Sequence, residues 1–198
     1  MRILCAVPTF ENITPECFKA IYDLDKCGHD VDFEFIKGYD CAKARSTICR
    51  KAIDGNYDYV LMVDADTLIP KDALTHLLDP PADVVLGCCP RKNTKDRMTV
   101  LYPLKTNPLR KGFKNALSYD DLTTPRIRLK GGGMACAMIK VESLSRLNYP
   151  FFKYVVYPDG SALSEDLYFC REAVESGLTV EADTRVRCGH LARYYQYE

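Results

Sequence analysis

The chain lacks a net charge: 27 basic and 27 acidic residues cancel over 198 positions. An excess of one sign is what draws a protein to nucleic acid or an anionic membrane, so neither is an expected partner and any anion-binding surface must be local. It also lacks a long apolar run. The stretch before Pro8 and Glu11 is too short for a signal peptide or an anchor, and no later segment approaches the roughly 20 apolar residues of a membrane span. These absences predict a soluble, cytoplasmic protein. Cysteine is plentiful at ten, but no Cys-x-x-Cys pair occurs; Cys88 and Cys89 are adjacent and the rest are scattered through apolar periodic segments. That spacing argues against a zinc site or a disulfide framework and for reduced thiols packing as small hydrophobes.

What is present is alternation. With 47% apolar content, 198 residues suffice for one packed domain. Residues 3–7 read as a buried strand ended by Pro8-Thr9-Phe10, and Thr14-Pro15-Glu16 supplies an N-cap, a proline at the first helical position and an acid in the first turn. Residues 31–36 set Val and Phe against acids, as a strand nearer an edge does. Asp40 caps a second helix with Ala44, Ile48 and Ala52 on one face and Gly55 past its end. Residues 59–63 are a continuous apolar strand, a short helix follows from Pro70 to Leu78, and residues 84–89 are another apolar strand. This alternation predicts an α/β fold with a mostly parallel, Rossmann-like central sheet and flanking helices. Ligands collect at the carboxyl ends of such strands, where Pro8-Thr9, Asp40, Asp64-Asp66 and Arg91-Lys92 would converge.

Beyond residue 90 the pattern degrades into an irregular excursion, 91–130, with a hairpin expected over 99–104. Regular structure resumes at Gly131-Gly132-Gly133, with a strand over 134–140 and a short helix over 141–147. The glycines either let backbone approach a ligand or make a bulge or tight turn. Residues 151–157 are aromatic and strand-like; Ser164 caps a helix beginning Glu165-Asp166, with Leu167, Cys170 and Val174 facing inward and Gly177 at its end. A strand over 179–188 precedes Gly189-His190-Leu191 and a tail containing Tyr194, Tyr195 and Tyr197, whose reading as a lid, an interface or a frayed end stays open. The expectation is a single domain, 1–198, in which 1–90 is the nucleotide-binding half and 131–198 the acceptor and catalytic half.

The chain is organised around Asp64 and Asp66, where the strand over 59–63 stops. Side chains two apart on an extended chain point the same way, and adjacent carboxylates repel unless a cation, a shared proton or water intervenes. Hard oxygen ligands at a strand's carboxyl end suit Mg²⁺ or Mn²⁺, although an isolated Asp-x-Asp is equally a polar turn. Arg45 lies near the start of its helix, either solvated or reaching toward this edge. Glu165 and Asp166 complement a helix dipole or do chemistry, and His190 is structural or a ligand.

Taken together, Pro8-Thr9-Phe10, Ala44-Arg45, Val63-Asp64-Ala65-Asp66, Gly132-Gly133-Met134, Ser164-Glu165-Asp166 and Gly189-His190 resemble the GT-A glycosyltransferases, particularly the family-2-like group, over residues 1 to about 191. The resemblance implies a GT-A fold and a hexosyltransferase-type enzyme. It would move a sugar from a nucleoside-diphosphate sugar to an acceptor hydroxyl on a glycan, protein, lipid or small molecule, using Mn²⁺ or Mg²⁺. It further implies that Asp64, Asp66 and His190 hold the metal and that Pro8, Thr9, Arg45 and Asp40 contact the nucleoside. Gly132 and Gly133 would lie against the nucleotide sugar, and Glu165 or Asp166 would serve as general base. The chain departs from the group at the second strand, which ends Lys37-Gly38-Tyr39-Asp40 where an Asp-Asp-Gly-Ser-like sequence is usual. Two further readings compete: a non-catalytic nucleotide- or glycan-binding module of the same fold, and a sugar-phosphate nucleotidyltransferase. The second would favour a glycine- and lysine-rich loop after the first strand, which is absent here.

Overall fold

A computed structural model describes residues 1–10, 12–38, 40–91, 99–104 and 116–191. Glu11, Tyr39, Lys92, much of the 91–130 excursion and the tyrosines at 194, 195 and 197 lie outside the described residues. In chain order the elements are β1 (Arg2–Thr9), α1 (Pro15–Tyr22), β2 (Asp30–Lys37), α2 (Cys41–Asp54), β3 (Tyr59–Val63), β4 (Thr67–Leu68), α3 (Ala73–Leu77) and β5 (Val84–Cys88). There follow β6 (Leu101–Pro103), β7 (Arg126–Gly132), β8 (Cys136–Lys140), β9 (Val155–Val156), β10 (Ala162–Leu163), α4 (Glu165–Glu175), β11 (Val180–Arg187) and β12 (Gly189–His190).

Eight strands form one sheet in the order β2-β1-β3-β8-β5-β11-β7-β6. β1 pairs in parallel with β2 and β3, and β5 with β11, whereas β8 and β7 run against their neighbours. The predicted mostly parallel sheet is therefore present, with β8 inserted antiparallel between β3 and β5. Strand alternation sorts the core into two layers. Val60 and Met62 pack with Ile48, Ala52, Phe152 and Phe169 on the α2 and α4 side, while Leu61 and Val63 pack with Ile21, Leu74 and Leu77 on the α1 and α3 side. The sheet is thus covered on both faces, which is why β3 and β5 read as unbroken apolar runs.

Two of the three predicted caps are present, while Ser164 stands at the N-cap of α4 without a side-chain capping bond, its hydroxyl going to the Asp166 carboxylate instead. Thr14 accepts from the Cys17 amide at 3.3 Å, and Asp40 accepts from the Lys43 amide at 3.1 Å. Four local expectations fail for identifiable reasons. The strand at 99–104 makes no local hairpin; β6 pairs with β7, whose backbone groups lie far along the chain. Gly131 and Gly132 end β7 instead of opening β8, so regular structure resumes at Arg126. Of the aromatic run over 151–157 only Val155–Val156 is a strand, β9, paired with β10; its start is a plug, in which Phe152 stacks on Phe169 at 4.5 Å and its backbone exchanges bonds with the Ser46 hydroxyl. Finally, α4 buries Phe169, Cys170 and Ala173, turning Leu167 and Val174 only partly inward. All ten cysteines are free thiols. Among the described residues no helix is long and apolar enough to cross a membrane.

Candidate active site

β3 delivers Asp64 to the carboxyl edge of the sheet. There the Asp64 amide bonds to the Ala135 carbonyl at 2.9 Å, and the Thr67 amide bonds back to the Asp64 carbonyl at 3.0 Å. The Asp64-Ala65-Asp66 segment is therefore a turn, not the extended chain the sequence suggests, and its two carboxylates part company. Asp64 Oδ1 accepts from Arg45 Nη2 at 2.7 Å, while Asp66 Oδ1 stands 3.3 Å from His190 Nε2.

A two-strand ladder brings His190 there. β12 pairs with β4, setting His190 opposite Thr67, and the Leu191 amide bonds to the Asp66 carbonyl at 2.9 Å. His190 Nδ1 lies 2.9 Å from the Pro90 carbonyl oxygen. A carbonyl only accepts, so Nδ1 carries the hydrogen, and in the neutral ring Nε2 turns a lone pair toward the Asp66 carboxylate. Two acceptors at that separation need a proton or a cation between them. Adjacent ligands of one octahedral Mg²⁺, each at about 2.1 Å, stand about 3 Å apart, so the pair fits a small divalent ion. Among the described residues no group of three or more His, Cys, Asp or Glu side chains forms a complete cation cage.

Arg45, at the start of the second turn of α2, is 4% exposed. Its Nη1 donates to Glu165 Oε1 at 2.6 Å while Nη2 serves Asp64. Burial alone would lower its pKa, but the adjoining carboxylates of Asp64 and Glu165 more than reverse this, so the guanidinium stays charged. One turn earlier on the same helix face, burial and the anions Asp64 and Glu165 push the Cys41 thiol up to about 12 against the pull of Arg45. The phenol of Tyr154, whose ring is otherwise exposed, is raised by local desolvation and by the neighbouring Glu165 carboxylate. Sequence reading missed Cys41 and Tyr154; the signal for Cys41 was its position four residues before Arg45, but nothing in the sequence marks Tyr154.

Asp166 differs from its neighbour. Glu165 is 7% exposed and committed to Arg45, whereas Asp166 accepts from the Ser164 hydroxyl and from the Leu167 amide at 2.7 Å. Burial, the largest influence, holds the Asp166 pKa above the ordinary carboxylate value despite these bonds. Its Oδ2 lies 3.7 Å from where a Cβ on Gly133 would be. Gly132 has a different purpose: a Cβ there would meet Leu86 at 2.8 Å and Leu101 and the Val100 carbonyl at 2.9 Å, so its bareness serves packing. Between Gly133 and His190 lies a cavity of ≈ 30 Å³, room for one water but not a sugar ring.

The remaining predicted residues sit at the same edge with other tasks visible. Pro8 is buried; Thr9 donates its hydroxyl to the Asn12 carbonyl at 3.1 Å and accepts from the Gly38 amide at 3.0 Å. Both follow the Ala6–Met62 pair and so flank Asp64. Asp40 is occupied as a helix cap, and Arg91 is exposed.

No protein-family model and no curated protein sequence matches the chain. Solved structures do. The chain superposes on A197 from STIV with a TM-score of 0.63 at 17% identity, covering 98% of this chain and 87% of that one. It superposes on GalNAc-T7, crystallised with UDP, GalNAc and Mn²⁺, with a TM-score of 0.64 at 10% identity, covering 99% of this chain and 45% of that one. A third match is the inositol-1-phosphate CTP transferase from T. maritima, with a TM-score of 0.51 at 11% identity, covering 98% and 91%. These likenesses give the fold, which is GT-A.

Proposed function

We propose that this GT-A-fold chain is a metal-dependent glycosyltransferase that moves a hexosyl group from a nucleoside-diphosphate sugar to an acceptor hydroxyl, in a cytoplasmic setting that its free thiols suit. The observation that carries the reading is the gathering, at one sheet edge, of a divided carboxylate pair, a histidine with a fixed tautomer and a half-buried carboxylate of raised pKa. In this reading residues 1–90 form the half that holds the nucleotide, with Pro8, Thr9 and Asp40 lining it, and residues 131–198 the half that meets the acceptor.

Asp66 and His190 would hold Mn²⁺ or Mg²⁺, and Asp64, turned to Arg45 in this arrangement, would join them only by swinging its carboxylate toward the ion. The ion, when bound, offsets the negative charge that grows on the departing diphosphate. Asp166 takes the proton of the acceptor hydroxyl, which its raised pKa suits, and Gly133 leaves that carboxylate open to the acceptor. Glu165, bound to Arg45, is turned away from this role. GalNAc-T7, crystallised with UDP and Mn²⁺, is consistent with this donor chemistry.

A thermal-shift panel of UDP, GDP, CDP and ADP and their common sugar conjugates, with and without Mn²⁺, tests the reading. A ligand at about a hundred times its Kd adds roughly 2.7 kcal/mol of stability. The expected result is one Mn²⁺-dependent shift, lost in Asp66→Ala and His190→Ala; a shift that survives both substitutions would remove the metal assignment. The match to a CTP transferase favours nucleotidyl transfer as the second reading. That reaction would appear as stabilisation by a nucleoside triphosphate with release of pyrophosphate.

A further inference from the structure

Arg45 joins two parts of the molecule that the chain holds far apart. Asp64 ends the central strand β3, and Glu165 is the first residue of α4, immediately before Asp166. A planar guanidinium presents its two terminal nitrogens in one rigid fork, so bonds of 2.7 Å and 2.6 Å from Nη2 and Nη1 fix the separation and the direction of both carboxylates at once. The Arg45 and Glu165 side chains are nearly sealed from water, at 4% and 9% exposure, while Asp64 is half-buried at 28%. Two anions so placed would repel without the cation between them, and a pair this desolvated is costly to break from one side. The Nε of Arg45 is also buried, with no hydrogen-bond partner among the described residues, so the side chain is held by the two carboxylates alone. Both terminal nitrogens are aimed inward at carboxylates and the side chain is only 4% exposed, so the guanidinium presents almost no surface to a nucleoside.

We infer that Arg45 is a positioning residue, a rigid spacer that sets Asp166 at the head of α4 against the metal-binding edge at Asp64 without touching the donor. The inference replaces the nucleoside contact that family resemblance implies for this residue. Its kinetic half rests on the transferase reading; its structural half does not. A lysine keeps the charge but has a single nitrogen that cannot serve as a two-pronged spacer, so charge and spacing can be separated by experiment.

The experiment compares wild type with Arg45→Lys, Arg45→Gln and, as the milder change that keeps an acceptor for Nη1, Glu165→Gln. Hydrogen exchange of the Tyr168 amide, which bonds to the Ser164 carbonyl in the first turn of α4, reads the helix head with no assumption about the reaction. Exchange there is expected to rise about tenfold or more in Arg45→Lys while amides of β3 and β5 stay protected. Unchanged exchange in both Arg45→Lys and Glu165→Gln would overturn the spacer. With the donor found by the nucleotide panel, kcat is expected to fall about 100-fold in Arg45→Lys, with KM for the donor within about threefold of wild type. A raised donor KM with kcat retained would overturn the inference and make Arg45 a donor contact. A wild-type chain that transfers no sugar from any donor would remove the transferase reading, and the exchange measurement would still decide whether Arg45 sets the head of α4.

Discussion

Two adjacent acids, Glu165 and Asp166, share a helix turn, yet their surroundings give them different partners. Glu165 has a permanent cationic partner, whereas Asp166 has only a hydroxyl, one amide and burial, which raises its pKa. Asp166→Asn should therefore cut transfer by about 10²–10⁴-fold, the usual worth of a general base, measured as kcat with saturating donor. The same substitution should raise thermal stability. A carboxyl whose folded pKa is raised stabilises the fold fully below its ordinary value, and that contribution is lost as pH rises through the raised one. The Tm advantage of Asp166→Asn should accordingly appear at neutral pH, at about 2–4 °C for each kcal/mol in a domain of this size, and vanish in acid. In wild type the acid limb of the rate profile should lie above the ordinary carboxylate range, because the base works only when deprotonated.

The last glycine of β7 and the glycine that follows it show two kinds of necessity in neighbouring residues. Gly132 is closed in by Leu86, Leu101 and a backbone carbonyl that cannot rotate away, while Gly133 faces Val100 at 3.3 Å and the Asp166 carboxylate. Gly132→Ala should destabilise by about 1–3 kcal/mol, read by denaturant melting, through overpacking. Gly133→Ala should leave stability near wild type and lower transfer instead, and equal stability losses in the two variants would contradict this division. Helices α2 and α4 depend on the Phe152–Phe169 stack between them. Phe152→Ala should cost about 3–5 kcal/mol, a fall of roughly 10 °C in melting temperature, with the head of α4 loosening first.

Because β8, contributed by residues 136–140, lies between β3 and β5, strands from the two ends of the sequence alternate in one sheet. Removing the second half would strip β3 and β5 of a partner on a side where each is fully buried. A fragment of residues 1–90 should therefore fail to fold, and the whole chain should unfold in one cooperative transition, with near- and far-ultraviolet dichroism changing together. Two separate transitions, or a folded fragment, would refute this coupling.

The sequence by itself determined the elements whose cause is local. The caps at Thr14 and Asp40, the buried strands at 59–63 and 84–88 and the layered α/β order follow from side-chain period and backbone chemistry within a few residues. It also named the carboxylates, the arginine and the histidine that meet at one edge. Only the tertiary structure decided which partner each of them holds, since the deciding contacts span long separations. Arg45 reaches Glu165 across 120 positions, and Pro90 orients His190 across 100. The antiparallel entry of β8 and the pairing of β6 with β7 were hidden for the same reason: which strand lies beside which is a property of closed loops and shared burial, and residue pattern records only that a strand is buried, not its neighbour.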